Sequence, residues 1–135
     1  MTSVVDAISA ISDEKSLSLF KAVVLSDNCD GSTLTGKLNL TRKQFYSNMK
    51  KLMGAGLVWR INGKYRLTSL GKIVFRAQAR VEIGIENHWK LKALDSVMKS
   101  EDNTDLPAKE CQMIIDKLID NHKIKDILVS NEKWF

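Results

Sequence analysis

From Gly31 to Val81 the chain carries eleven cationic side chains and not one acid. They are Lys37, Arg42, Lys43, Lys50, Lys51, Arg60, Lys64, Arg66, Lys72, Arg76 and Arg80. Ten of the 21 Lys and Arg remain elsewhere, against all 16 Asp and Glu, so a formal charge of +5 divides into a window of +11 and a remainder of −6. The cations alternate with a regular apolar pattern, so they belong to a folded surface rather than to a solvated tail. A surface of this kind attracts a polyanion. Nucleic acid is the first candidate, because neutralising phosphates releases condensed counterions. Anionic lipid comes second, since no single segment sets a strongly apolar face opposite all of this charge.

Other chemistries lack their residues. There is no Gly-rich phosphate loop, no nucleophile with a His at motif spacing and no paired carboxylates in an apolar setting, so no enzyme is expected. His88 and His122 have no ligand partners at helical spacing, and Cys29 with Asp27 and Asp30 reads as a polar loop rather than a metal site. Cys111 reads as a small buried apolar residue. Neither metal nor cofactor is expected, and whether a small molecule tunes the protein stays open. Two cysteines make no disulfide framework, no apolar run approaches the ~18 residues that span a bilayer, and Met1 to Ser12 lacks the basic start of a secretion signal. The expected setting is reducing cytoplasm, without membrane insertion.

At 135 residues the composition is that of an ordinary soluble protein. The elements that must hold the cations can be read in order. A helix is expected from about Asp13 to Ser26 with Leu17, Phe20 and Val24 on one face, and a short helix after Ser32 with Leu34 and Leu38 one turn apart. Thr41-Arg42-Lys43-Gln44 is a capping box, and Leu40 with Phe45 makes a hydrophobic staple. Phe45, Met49, Leu52 and Met53 then give the buried face of a helix that Gly54 and Gly56 close. Asn62-Gly63 between Leu57–Ile61 and Lys64–Thr68 is a two-residue hairpin signal. It pairs Ile61 with Lys64, Arg60 with Tyr65, Trp59 with Arg66 and Val58 with Leu67. Trp59 is expected to pack across the hairpin, with stacking on a ligand as the less favoured alternative. Beyond it a long helix capped by Thr68 or Ser69 is expected to about Lys99, with Leu70, Ile73, Val74, Ala77, Val81 and Ile85 along its first stripe and a change of face after Gly84. Ser100 to Pro107 reads as a linker, and Ala108 to Asn121 as a last amphipathic helix that Ile124, Ile127 and Leu128 extend.

The run Leu40-Thr41-Arg42-Lys43-Gln44-Phe45-Tyr46-Ser47-Asn48-Met49-Lys50-Lys51-Leu52, then Gly56-Leu57-Val58, then Gly63-Lys64-Tyr65-Arg66-Leu67-Thr68-Ser69-Leu70-Gly71, resembles the winged helix-turn-helix family of transcriptional regulators. The resemblance covers roughly the first 80 residues. The remainder, including Trp89-Lys90-Leu91-Lys92-Ala93-Leu94, resembles small predicted archaeal regulators of that family. Gly36 in the second helix and the two-residue hairpin tip depart from its commoner pattern. The resemblance implies a mainly α fold with a small β-hairpin wing: a DNA-binding winged helix-turn-helix domain over 1–80, then a long helix and a C-terminal helix forming a dimerisation region over 81–135. It also implies that the Thr41-capped helix enters the major groove of double-stranded DNA.

Helical geometry selects the side chains on that helix. At about 100° per residue from Phe45, Met49 and Leu52 fall on the core side, whereas Lys43, Tyr46, Ser47 and Lys50 point away. Lys43, Tyr46 and Ser47 are the candidates for base edges, although Tyr46 serves equally as a thymine-methyl contact or a cover for its neighbours. Thr41, Arg42, Lys50 and Lys51, with Lys64 and Arg66 on the wing, are the candidates for phosphates. A winged-helix module that binds another protein is the alternative, though such a module has no need of eleven cations. Ile83, Leu91, Leu94, Val97 and Met98 lie off the first stripe and are expected to form a homodimer interface. A last helix folded back over them on the same chain is the competing arrangement.

Overall fold

Capping side chains set most of the helix starts in this chain. In the computed structural model, which describes residues 2–26, 28–99 and 108–129, the order is α1 (Val4–Ala10), α2 (Glu14–Leu25), β1 (Cys29–Asp30), α3 (Gly31–Leu38), α4 (Arg42–Gly54), β2 (Val58–Ile61), β3 (Lys64–Leu67), α5 (Ser69–Glu86), α6 (His88–Met98), α7 (Ala108–Leu118) and α8 (His122–Val129). The protein is mainly helical, with one three-stranded antiparallel sheet in the order β1-β3-β2. Among the described residues, no helix is long and apolar enough to cross a membrane. The chain divides into two units, Met1–Ala77 and Gln78–Phe135.

In the first unit Ser3, Asp13, Asp30 and Thr41 cap α1 to α4, each accepting a backbone N–H three residues on. Leu19, Phe20 and Val23 of α2 meet Leu34 of α3, Phe45, Met49 and Leu52 of α4, and Leu57, Val58 and Tyr65 around the hairpin. Each large side chain buried this way stabilises by about 1.5–3 kcal/mol. A buried polar pair crosses the core, where Ser16 Oγ donates to Asn48 Oδ1 at 2.9 Å. Asn62 and Gly63 both take positive φ, 53° and 76°, as a type I′ turn requires, and the β2–β3 register follows from that turn.

Several elements differ from the sequence expectation. Helix α1 was not expected. In α2 the buried face is Ser16, Leu19, Phe20, Ala22 and Val23, while Leu17 and Val24 are only half-buried. Helix α3 starts one residue before Ser32, on an Asp30 cap. Asp27 and the 100–107 linker lie outside the described residues, as does the side chain of Cys111. Cys29 sits in β1 paired with Tyr65, half-buried against the core. Along α5 only Val74 of the expected stripe packs on the core, with Phe75 beside it at 6.1 Å edge-on from Phe20. Leu70, Ile73, Val81 and Ile85 are 40, 67, 61 and 69% exposed.

In the second unit the expected long helix breaks at Asn87, whose Nδ2 donates to the Ile83 carbonyl at 2.8 Å. The last helix also divides, because the Asn121 side chain accepts from the amides of Lys123 and Ile124 and so starts α8. Leu94 of α6 is buried with Ile115, Ile119 and Ile124, and Ile83, Leu91 and Met98 pack against them; Val97 is half-buried. Of the residues expected at a dimer interface, Leu94 is thus buried and Ile83, Leu91 and Met98 partly covered by α7 and α8 of the same chain, as in the competing folded-back arrangement. Lys90 and Asp120 close that packing at 2.8 Å.

Candidate nucleic-acid interface

Helix α4 separates two surfaces. Phe45, Asn48, Met49 and Leu52 are buried, and Arg42, Lys43, Tyr46, Ser47, Lys50 and Lys51 are exposed. The helix has no acid along its length, and Arg42 and Lys43 sit in its first turn. Cations there oppose the helix macrodipole, which favours anions at the N-terminus by about 0.3–1 kcal/mol. A bound phosphate would reverse that sign, since backbone N–H groups and cations would face it together.

Thr41 is exposed, and its hydroxyl accepts from the Gln44 amide at 3.1 Å while the Gln44 side chain accepts from the Thr41 amide at 3.0 Å. The cap therefore fixes the first turn that carries Arg42 and Lys43. Tyr46 is 52% exposed, edge-on to Phe45 at 5.4 Å, so its ring covers a neighbour and presents its outer side to solvent. Lys51 leans toward the start of α2, with Nζ 3.9 Å from Asp13 Oδ1, in a half-exposed pair worth under about 1 kcal/mol. Its charge is thus shared with an acid, unlike the others on this helix face.

The hairpin is tied to α4 through Phe45, whose ring meets Tyr65 of β3 edge-on at 5.6 Å. Alternation along the strands puts Val58, Tyr65 and Leu67 inward and leaves Trp59, Ile61, Lys64 and Arg66 on the outer face. Arg60 lies over the Tyr65 ring at 5.7 Å. Burial pushes the Tyr65 hydroxyl above its usual range, and the Arg60 charge opposes that shift. Lys64 pairs in register with Asp30 of β1. The Asp30 carboxyl is held below its usual range first by the Thr33 amide, then by the Thr33 and Ser32 side-chain interactions, with Lys64 contributing least.

No family model, curated protein or solved structure matches the chain.

Two features escaped sequence reasoning. One is the exposure of Trp59, 50% on the outer face opposite Arg66. The signal was present in the register, because Val58 facing inward forces its neighbour outward. The second is behind the hairpin, where Thr68 Oγ1, besides capping α5 by accepting from the Gly71 amide at 2.8 Å, donates to the Gly56 carbonyl at 2.6 Å. It anchors the start of α5 against the beginning of β2.

Proposed function

We propose that this chain is a DNA-binding transcriptional regulator of the winged helix-turn-helix kind, with α4 in the major groove and the β2–β3 hairpin as a wing on the flanking backbone. The observation that carries this reading is the outer face of α4, where Arg42, Lys43, Tyr46, Ser47 and Lys50 stand exposed without an acid on the helix. Lys43, Tyr46 and Ser47 read base edges, and Thr41, Arg42, Lys50, Lys64 and Arg66 hold phosphates, with Lys51 a weaker contributor because of Asp13. Binding to duplex DNA tests it. With about six phosphates neutralised, log K falls against log salt with a slope of about −5. A flat salt response refutes the reading.

The regulator acts as a homodimer in this reading, and the support comes from α5. Its exposed Leu70, Ile73, Val81 and Ile85 recur at helical spacing and take no part in either hydrophobic cluster. A second copy of the same helix is self-complementary to such a stripe under two-fold symmetry. Light scattering decides it: a doubled mass that reverts to 15.2 kDa on Ile73→Glu supports the α5 dimer, and 15.2 kDa for the parent refutes it.

A further inference from the structure

The outer face of the hairpin holds an aromatic ring that lies outside the hydrophobic core and is half-exposed. Val58 and Tyr65, at 2 and 3% exposure, close the core on the inner face, and Trp59 stands half in water opposite Arg66. Ile61 follows on the same face opposite Lys64. Cross-strand neighbours have Cβ atoms about 5 Å apart, so the indole lies within one such spacing of a guanidinium stem. A continuous duplex offers this ring little, because its bases are stacked on one another and turn only their edges outward. An unpaired base presents its π-face, and the strand that carries it brings phosphates to the cations beside the ring.

We propose that Trp59 is a stacking platform for an unpaired base, so that the hairpin binds single-stranded DNA adjoining a duplex. The proposal rests on the DNA-binding reading above and adds a preferred substrate to it. Charge selects this occupant over an apolar protein surface. Docking such a surface would strip water from the exposed Lys64 and Arg66 of this face and supply no opposite charge in its place. A phosphate-bearing strand meets the cations with opposite charge while its base covers the indole.

Fluorescence anisotropy with the full chain tests this on two DNAs of identical duplex sequence, one blunt and one with a five-nucleotide single-stranded extension. The parent is expected to bind the extended DNA about 5- to 150-fold more tightly, the range that one base stacked on an aromatic side chain supplies. Trp59→Ala removes that preference and leaves the blunt-duplex affinity within about two-fold, while Trp59→Phe keeps most of it. Because Trp59 is half-exposed, the Ala variant is expected to melt near the parent temperature, which circular dichroism checks. Equal affinity of the parent for both DNAs, or a preference that survives Trp59→Ala, overturns the proposal and leaves duplex binding standing. Failure of the parent to bind either DNA overturns both.

Discussion

Gly71→Ala tests the junction on which the hairpin and α5 meet. A Cβ built at Gly71 falls 2.1 Å from the Leu57 carbonyl oxygen, 3.0 Å from the Leu57 carbonyl carbon and 3.3 Å from Thr68 Oγ1. Restoring an unstrained separation of ~3.5 Å moves α5 away from β2 by about 1 Å or more. The segment that must open is cross-tied: Thr68 N–H donates to the Leu57 carbonyl at 3.0 Å, and the Thr68 hydroxyl bridges Gly56 and Gly71. Overpacking of this kind costs about 1–3 kcal/mol, each strained hydrogen bond adds about 0.5–1.5 kcal/mol, and the better helix propensity of Ala returns about 1 kcal/mol. The net expectation is a loss of about 2–3 kcal/mol. For a domain of this size that lowers the melting temperature by about 10–20 °C, read by circular dichroism at 222 nm. Gly36→Ala is the control, in the interior of α3 with nothing within 4 Å of the added Cβ. There the propensity gain stands alone and the melting temperature rises by a few degrees. A Gly71→Ala protein that melts within 2 °C of the parent refutes the close-approach reasoning.

Ser16→Ala leaves Asn48 Oδ1 buried without its donor and should cost about 1–3 kcal/mol in urea unfolding, whereas adding Asn48→Leu should recover part of that loss; equal loss in both variants would show that the pair does not matter. Asp6, Asp13 and Asp30 are held below the usual carboxylate range, led by the Ser3 amide, the Ser16 side chain and the Thr33 amide respectively. The folded state therefore binds fewer protons than the unfolded one, so stability is present above the ordinary carboxylate range and is lost as the pH falls from about 5 through the lowered values. Asp13→Asn should flatten part of that dependence, and an unchanged slope of urea midpoint against pH would contradict it. In a binding-site selection, Lys43→Ala or Ser47→Ala should change the preferred sequence by about 1–3 kcal/mol at one base pair. Arg66→Ala should weaken all duplexes alike and reduce the salt slope by about 0.9; the reverse pattern would exchange the assigned roles of α4 and the hairpin.

Local signals were legible, and what they encode is present in the fold. The Thr41 box fixes the start of α4 by hydrogen bonds within four residues, and Asn62-Gly63 fixes the register of two strands by backbone conformation alone. Helix α1 escaped because its pattern runs backwards: Ala7 and Ala10 are buried while Val4, Val5 and Ile8 face water. Apolar periodicity there points away from the core, and only the Ser3–Asp6 capping box marks a helix. Strand β1 is two residues long and exists because β3 offers an edge, so nothing local announces it. The breaks at Asn87 and Asn121 are single side chains bonding the backbone, which interrupts a helix without interrupting the hydrophobic pattern around it.

The same distinction explains the two apolar stripes of α5 and α6. Periodicity states that a face is to be covered, and it is silent on what covers it. Ile83, Leu91, Leu94 and Met98 read as surplus because their cover, α7 and α8, follows a linker that the pattern alone could place anywhere. Leu70, Ile73, Val81 and Ile85 read as a continuation of the first unit's core because they follow directly from the hairpin, yet the α5 side chains that pack on that core are Val74 of the stripe and Phe75 beside it, with Gly71 close against Leu57. A side chain at Gly71 would not fit that approach, because its Cβ would fall 2.1 Å from the Leu57 carbonyl oxygen. Apolar spacing marks both stripes alike, so the difference in their exposure comes from tertiary packing rather than from the local pattern.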